Sequence, residues 1–356
     1  MTTYLLAGGG TAGHVNPLLA VADRIRDREP DASILVLGTK EGLEARLVPQ
    51  RGYELLTIER LPFPRRIGVA ALRFPVRFRR ALAQTARYLE ERHVDVVVGF
   101  GGYASAPAYV AARRAGVPLV IHEANARPGI ANRLGALITR NVGVAFHSTR
   151  LRGARTVGMP LRREIEGLDR LASRADALAY FRLDPDRPVL LVTGGSLGAR
   201  KINATISDSV PMILGAGWQV LHIAGSRSEI SDPQLAGYRL LPYCDRMDLA
   251  FSVTDLAVAR SGAGTVSELS AVGLPAVYVP YPVGNGEQRF NAKDAVEAGS
   301  AILVADADFT PAWITTSLLP LLRDRATIAE MAARSTIVGA RDGADRMVDL
   351  ISAARH

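Results

Sequence analysis

The chain has 356 residues, 48% hydrophobic and 22% charged, which suits a globular protein of two domains, each large enough for its own core. A single cysteine, Cys244, excludes an internal disulfide and a cysteine metal cluster and reads as a buried, inert thiol in a reducing compartment. The net charge is +8, with lysine only at 40, 201 and 293, and no apolar run approaches the roughly 18 residues that a membrane-spanning helix needs.

No basic region precedes the first apolar run, so no signal peptide is expected and the start reads as that of a cytoplasmic protein. Short apolar runs predict strands over 4–7, 33–37, 53–58, 95–98, 118–121 and 143–146, separated by helical patterns over 16–28, 43–51, 76–92, 107–115 and 130–140. The second half repeats the rhythm with strands over 189–192, 219–223, 256–259, 276–279 and 301–304. Ala344, Met347, Val348 and Ile351 fall at helical spacing, which predicts a last helix. Strands rich in Val, Ile and Leu with little alternation belong to parallel sheets covered on both faces, and alternating strands and helices give an α/β class. The Gly158-Met159-Pro160 turn marks a boundary. The expected domains are 1–158 with 338–356, and 159–337.

A strand that feeds a glycine turn and then a helix leaves backbone N–H groups able to meet an anion. The pattern occurs at Gly8-Gly9-Gly10-Thr11-Ala12-Gly13-His14 and again about 185 residues later at Gly194-Gly195-Ser196-Leu197-Gly198. Two such turns suggest twin doubly wound domains facing each other across a cleft. Gly8, Gly10 and Gly13 also fit the dinucleotide fingerprint, with Glu41 as its ribose acid, although Glu41 comes late for that role and the second turn is left unexplained. His14 falls in the first turn of a helix, whose positive end favours the neutral imidazole of a general base; a capping histidine is the plainer alternative.

Further polar clusters close predicted strands. They are Gly99-Phe100-Gly101-Gly102-Tyr103, His122-Glu123-Ala124-Asn125 and the run from Arg260 to Glu268, with Gly284-Asn285-Gly286-Glu287-Gln288-Arg289-Phe290-Asn291 further on. Strand C-termini are where open α/β sheets bind ligands, and amide and acid side chains suit sugar hydroxyls. Glu268 either caps its helix or accepts both hydroxyls of a ribose. No metal-ligand spacing and no Ser-His-Asp arrangement stands out. Between Leu61 and Leu89 lie seven arginines and no acid, interleaved with Phe63, Phe74 and Phe78. That segment reads as a surface for anionic lipid headgroups, with Phe74, Arg77, Phe78, Arg79 and Arg80 as contacts, or as a solvated basic face. No nucleic-acid motif accompanies it.

Six of these motifs, in order over nearly the whole chain, resemble the MurG family of peripheral membrane glycosyltransferases, which make lipid II for peptidoglycan. The resemblance implies a GT-B fold of two Rossmann-like domains with the C-terminal helix crossing back to the first. It implies inverting transfer of N-acetylglucosamine from UDP-N-acetylglucosamine to the 4-hydroxyl of the muramoyl sugar in lipid I. By motif position, Ser196 would meet the donor diphosphate, Glu268 the ribose, Ala263 the sugar through its N–H, and Glu287 and Gln288 the sugar hydroxyls. Arg162 lies near the donor, and Thr11, Ala12, Gly13 and Asn125 face it from the first domain. His14 would be the base, and Gly10, Gly13, Gly101, Gly102 and Tyr103 would receive the lipid I diphosphate. No cofactor or metal is required.

The implied partners are UDP-N-acetylglucosamine, lipid I, an anionic membrane surface at the cytoplasmic face, and proteins of cell-wall synthesis and division, with no nucleic acid. Three departures stand out: Ala12 for a glycine, Leu197 for a glutamine, and Glu287 where a glutamine is usual. A carboxylate at 287 accepts from hydroxyls but cannot donate. The rival readings are another GT-B transferase or UDP-sugar epimerase, a nicotinamide-dependent oxidoreductase, and a non-catalytic membrane adaptor.

Overall fold

The computed structural model describes residues 1–64, 68–195, 198–283 and 286–355. Ser196 and Leu197 of the second glycine turn, Arg65, Arg66 and Ile67 of the basic segment, and Gly284 and Asn285 lie outside the described residues. The chain divides into two compact units, Met1–Arg162 with Arg341–His356, and Arg163–Ala340.

The first unit runs β1 (Thr3–Ala7), α1 (Ala12–Arg28), β2 (Ser33–Gly38), α2 (Glu44–Gln50), β3 (Glu54–Thr57), α3 (Val69–Glu91), β4 (Val96–Gly99), α4 (Ser105–Ala115), β5 (Leu119–Glu123), α5 (Ile130–Ile138), β6 (Val142–Val144) and β7 (Ala154–Thr156). Its sheet has the order β3-β2-β1-β4-β5-β6-β7, all parallel.

Alternate strand residues serve two cores. Leu5, Leu35, Leu37, Val97 and Ile121 pack with Ala81 and Leu82 of α3 and Ala108 and Ala112 of α4. Tyr4, Leu6, Val36, Val98 and Val120 pack on the other face with Leu18, Val21 and Ile25 of α1. Because both faces are covered, the strands read as unbroken apolar runs.

The second unit runs α6 (Arg163–Glu166), α7 (Arg170–Phe181), β8 (Val189–Thr193), α8 (Arg200–Gly215), β9 (Gln219–Ile223), β10 (Tyr238–Leu241), α9 (Met247–Val253), β11 (Leu256–Ala259), α10 (Ala263–Ala271), β12 (Ala276–Tyr278), α11 (Glu287–Asn291), α12 (Lys293–Glu297) and β13 (Ala301–Leu303). Then α13 (Pro311–Trp313) passes through a π-helical turn, Ile314–Leu318, into α14 (Leu319–Arg323), followed by α15 (Arg325–Val338). The sheet order is β10-β9-β8-β11-β12-β13, again all parallel. Counted from the first strand of each sheet, both units share the order 3-2-1-4-5-6, and the first adds one strand. This order reverses direction between strands 1 and 4, which opens a ligand crevice at their C-terminal ends.

The last helix, α16 (Gly343–Arg355), belongs to the first unit. Met347, Val348 and Ile351 join the core beneath α1, while Asp345 pairs with Arg24 and Arg28, and Asp349 with Arg28. Each buried apolar side chain contributes about 1.5–3 kcal/mol, whereas a partly exposed ion pair contributes about 0–1 kcal/mol, so packing holds the helix and the ion pairs set its register.

Two strands escape the sequence reading, β7 and β10, and both are outermost in their sheets. Three helices start earlier than expected, α4 by two residues, at Ser105, and α1 and α3 by more. α1 begins at Ala12, and α3 at Val69, ahead of Pro75, which sits inside it.

Candidate active site

In the first unit the loops that follow β1, β4 and β5 gather at the strand-order reversal. Gly102 has φ +88°, and a Cβ there would collide with the Gly9 carbonyl, so the two glycine loops touch backbone to backbone. His14 is the third residue of α1 and is half-buried. Its Nδ1 lies 3.1 Å from the Gly9 carbonyl oxygen and 3.3 Å from Thr11 Oγ1. A carbonyl can only accept, so Nδ1 carries the proton and donates, which leaves Nε2 with its lone pair. The ring edge bearing Nε2 borders Gly101, where a Cβ would come within 3.2 Å. That tautomer is the one a base needs.

Tyr103 is half-buried beside Gly10, and the Arg60 guanidinium lies over its ring at 4.9 Å with a 3.4 Å contact to its hydroxyl. Thr11 precedes α1 without a side-chain cap, and Ala12 and Gly13 open the helix. Asn125 is set by Glu123, whose carboxylate accepts from the Asn125 backbone N–H at 2.8 Å and side-chain N–H at 3.3 Å. The other Glu123 oxygen accepts from the Gly129 amide and from Asn132 Nδ2, both at 2.9 Å, and Tyr109 donates to Asn132 Oδ1 at 2.6 Å. His122 is fully buried, and burial pulls its pKa down to about 4, so it stays neutral with Nε2 donating to the Gly158 carbonyl at 3.0 Å. Arg162 is half-buried at the end of this stretch of the unit.

Gly10 makes a contact that the sequence reading did not anticipate. Its N–H donates to Glu44 Oε2 at 2.8 Å, while Glu44 Oε1 accepts from the Thr39 amide at 2.9 Å and the Thr39 hydroxyl at 2.8 Å. Glu44 is fully buried, and a Cβ at Gly9, Gly38 or Gly42 would collide with it. Glu41, the candidate ribose acid, is exposed. A carboxylate on the Gly10 amide stands where a dinucleotide pyrophosphate would bind, which counts against the oxidoreductase reading.

In the second unit the loops after β8 and β11 flank the same reversal. Gly198 donates to the Gly195 carbonyl at 2.9 Å, and with φ +86° it sits so close to the Ala224 carbonyl that a Cβ would not fit. The residues behind this turn form a buried chain. Tyr238 hydroxyl donates to His222 Nδ1 at 2.8 Å, His222 Nε2 donates to Asn203 Oδ1 at 3.1 Å, and Asn203 Nδ2 donates to the Ala224 carbonyl at 2.8 Å. Burial lowers His222 to about 4, keeping it neutral. No motif spacing announces this network, because its members come from three different elements.

Ala263 heads α10 and Glu268 is its sixth residue, half-buried. A capping acid acts from the third position, so capping does not account for Glu268. Gln288 Oε1 accepts from the Tyr281 amide at 2.9 Å, so the NH₂ end is the one able to donate elsewhere. Glu287 opens α11, and Asn291 at its end donates to the Ser261 carbonyl at 3.2 Å, tying α11 to the β11 loop. Arg260 is buried and structural. It donates to the Val279 and Pro280 carbonyls at 2.9 and 3.1 Å and pairs with Asp306 at 2.5 Å.

Among the described side chains of α3, Leu72 and Val76 point outward, 79% and 53% exposed, and Phe63, 53% exposed, packs edge-on against Phe74 at 5.5 Å. Phe74 and Phe78 are half-buried against the core, Arg77 pairs with Glu59 at 2.8 Å, and Arg79 and Arg80 are exposed. Among the described residues no helix is long and apolar enough to cross a membrane, and no group of three or more His, Cys, Asp and Glu side chains could hold a metal ion.

Residues 4–144 match the glycosyltransferase family 28 N-terminal domain and residues 189–347 the glycosyltransferase family 28 C-terminal domain. A UDP-N-acetylglucosamine–N-acetylmuramyl-(pentapeptide) pyrophosphoryl-undecaprenol N-acetylglucosamine transferase of Leifsonia xyli subsp. xyli is 65% identical over 99% of this chain and 98% of that protein. A protein of the same description from Streptomyces coelicolor is 48% identical over 98% and 96%. The crystal structure of Acinetobacter baumannii MurG has a TM-score of 0.80 at 28% identity, covering 99% of this chain and 100% of that one. A UDP-N-acetylglucosamine 2-epimerase from Listeria monocytogenes gives a TM-score of 0.70 at 12% identity over 99% of this chain and 96% of that one, a likeness of fold alone.

Proposed function

The chain belongs to glycosyltransferase family 28, and from that premise we infer that it transfers N-acetylglucosamine from UDP-N-acetylglucosamine to lipid I, giving lipid II for peptidoglycan synthesis. Its fold is GT-B, with two doubly wound parallel sheets. The likeness to the Leifsonia transferase over nearly the full length of both chains supports this activity over that of the epimerase, which shares only the fold.

The single observation that carries the mechanism is the His14 Nδ1 contact with the Gly9 carbonyl, which leaves Nε2 able to accept a proton beside the two glycine loops. In the proposed reaction the muramoyl 4-hydroxyl gives its proton to Nε2 as its oxygen attacks the anomeric carbon. The bond from that carbon to the diphosphate oxygen breaks, UDP leaves, and the configuration inverts. Fixed donors at the diphosphate stabilise the departing charge in proportion to their preorganisation. In this reading that role falls to Ser196 with its glycine turn and to Arg162, the residue at which the first unit gives way to the second. Glu268 takes the ribose hydroxyls, Ala263 N–H and the Glu287 and Gln288 side chains take the sugar, and Thr11, Ala12, Gly13 and Asn125 complete the reacting centre. Gly13, Gly101, Gly102 and Tyr103 receive the lipid I diphosphate; Gly10 takes part through its Cα face, since its amide is engaged by Glu44.

We propose that the reaction needs no metal or cofactor. The outward Leu72 and Val76 with Arg79 and Arg80 support a peripheral seat on an anionic membrane surface. In this reading that surface is the cytoplasmic face, and proteins of cell-wall synthesis and division are partners.

Incubating the purified protein with UDP-N-acetylglucosamine and a lipid I analogue in EDTA should yield the β-1,4-linked disaccharide lipid and UDP. Failure to form that product, or dependence on added divalent metal, would overturn the corresponding part of this reading.

A further inference from the structure

The Gly9 carbonyl that receives His14 and the Gly10 N–H that donates to Glu44 are two ends of one peptide group. The chain contains no cis peptide bond among the described residues, so these ends point in opposite directions. The order is therefore Glu44 Oε2, 2.8 Å to the Gly10 N–H, then the Gly9 carbonyl, 3.1 Å to His14 Nδ1. Glu44 is 34 residues from Gly10 in sequence and is buried away from solvent.

We propose that Glu44 is a positioning residue for the transfer reaction, acting on His14 through the Gly9-Gly10 peptide. This rests on the reading of His14 as the base. A carboxylate bonded to an amide N–H draws electron density toward the carbonyl of that peptide, which makes the oxygen a better acceptor; such polarisation strengthens each linked bond by about 10–30%. The Gly9 carbonyl then does for Nδ1 what a carboxylate does directly in a Ser-His-Asp site: it fixes the tautomer and the ring plane and stabilises the imidazolium that forms when Nε2 takes the acceptor proton. The proton taken from the hydroxyl stays on Nε2, Nδ1 keeps its own, and none passes to Glu44.

The surroundings are built for this contact. The second Glu44 oxygen is anchored by both the amide and the hydroxyl of Thr39, so the first is held in one place. Gly9, Gly38 and Gly42 supply the room, since a side chain at any of them would displace the carboxylate. Gly102 closes on the same Gly9 carbonyl from the β4 loop, so this peptide is gripped from three sides. A buried carboxylate is costly unless its oxygens are paired, and here three donors pair them.

Glu44→Gln keeps the shape but turns an NH₂ toward donors, so the peptide loses its fixed orientation. Carboxylates that orient a metal-bound histidine are worth roughly 10–100-fold, and a loss in kcat of similar size is expected here with KM for both substrates nearly unchanged. In a His14→Ala background the same substitution should cost nothing further, because its effect passes through the imidazole. Equal losses in both backgrounds, or a loss confined to KM, would overturn the relay while leaving His14 as the base. Wild-type turnover in His14→Ala itself would instead remove the base, and the relay with it. Nitrogen NMR of the wild-type protein, with His14 assigned by difference against His14→Ala, reads the tautomer directly even if Glu44→Gln fails to fold. A protonated Nδ1 is the expected result, and a bare Nδ1 contradicts the proposal.

Discussion

Three histidines, His14 in the first turn of α1, His122 near the end of β5 and His222 near the end of β9, have surroundings that assign them different work. His122 and His222 are buried and neutral: His122 gives one ring nitrogen to the Gly158 carbonyl, and His222 has both of its nitrogens on protein partners. His14 alone of the three is half-buried with one nitrogen tied to backbone and the other beside a glycine that leaves space for substrate. Among the carboxylates, Glu44 and Glu123 are spent on holding loops, whereas Glu268 sits past the reach of capping in α10. Replacing Glu268 with Ala should weaken UDP affinity by about 1.5–3 kcal/mol, the range for hydrogen bonds to a charged group, which is roughly 10–100-fold by calorimetry. An unchanged affinity would remove it from the ribose. The glycine turns and the helices that carry His14 and Glu268 were legible from sequence because they are local patterns, whatever roles those two residues play. Glu44 and His222 were not, because their meaning lies in partners that the fold brings from other elements.

The same division holds for elements. Central strands such as β1, β4 and β11 declare themselves, since burial on both faces demands unbroken apolar runs. β7 has only three residues with Arg155 at its centre, and β10 carries Arg239; an outer strand needs less apolar sequence because one edge is open. α3 illustrates how an amphipathic pattern can be read one face off. Its aromatic Phe74 and Phe78 lean on the core, and the side chains left outward are Leu72 and Val76 with Arg73, Arg79 and Arg80. α5 adds a second outward apolar row, Ile130, Leu134 and Leu137, with α4 between it and α3. Charge reversal at Arg79 and Arg80 should therefore lower sedimentation with phosphatidylglycerol vesicles, and added salt should mimic it. Leu72→Ser with Val76→Ser should lower it further without affecting folding. Equal sedimentation of both variants and parent would show that α3 does not seat the protein on the bilayer.

On the scale of the molecule, each unit repeats one plan: a parallel sheet of order 3-2-1-4-5-6 with its glycine turns at the reversal. Each also buries one histidine that must stay neutral, His122 in the first and His222 in the second, both lowered from 6.5 to about 4 by burial. The unfolded chain binds these protons near pH 6.5 and the folded chain only near pH 4. Stability from keeping them neutral is thus complete above about pH 6.5 and is lost as pH falls toward 4. Denaturant titrations should show midpoints falling through that window, and replacing His222 with Gln should flatten part of the fall. A parallel fall in the variant would place the acid sensitivity elsewhere.

The most direct test of the division of labour is amide hydrogen exchange with and without UDP. UDP should slow exchange over 194–200, 260–268 and 286–291 in the second unit and leave 8–14 in the first unchanged. Protection centred on 8–14, with the second unit unaffected, would contradict it.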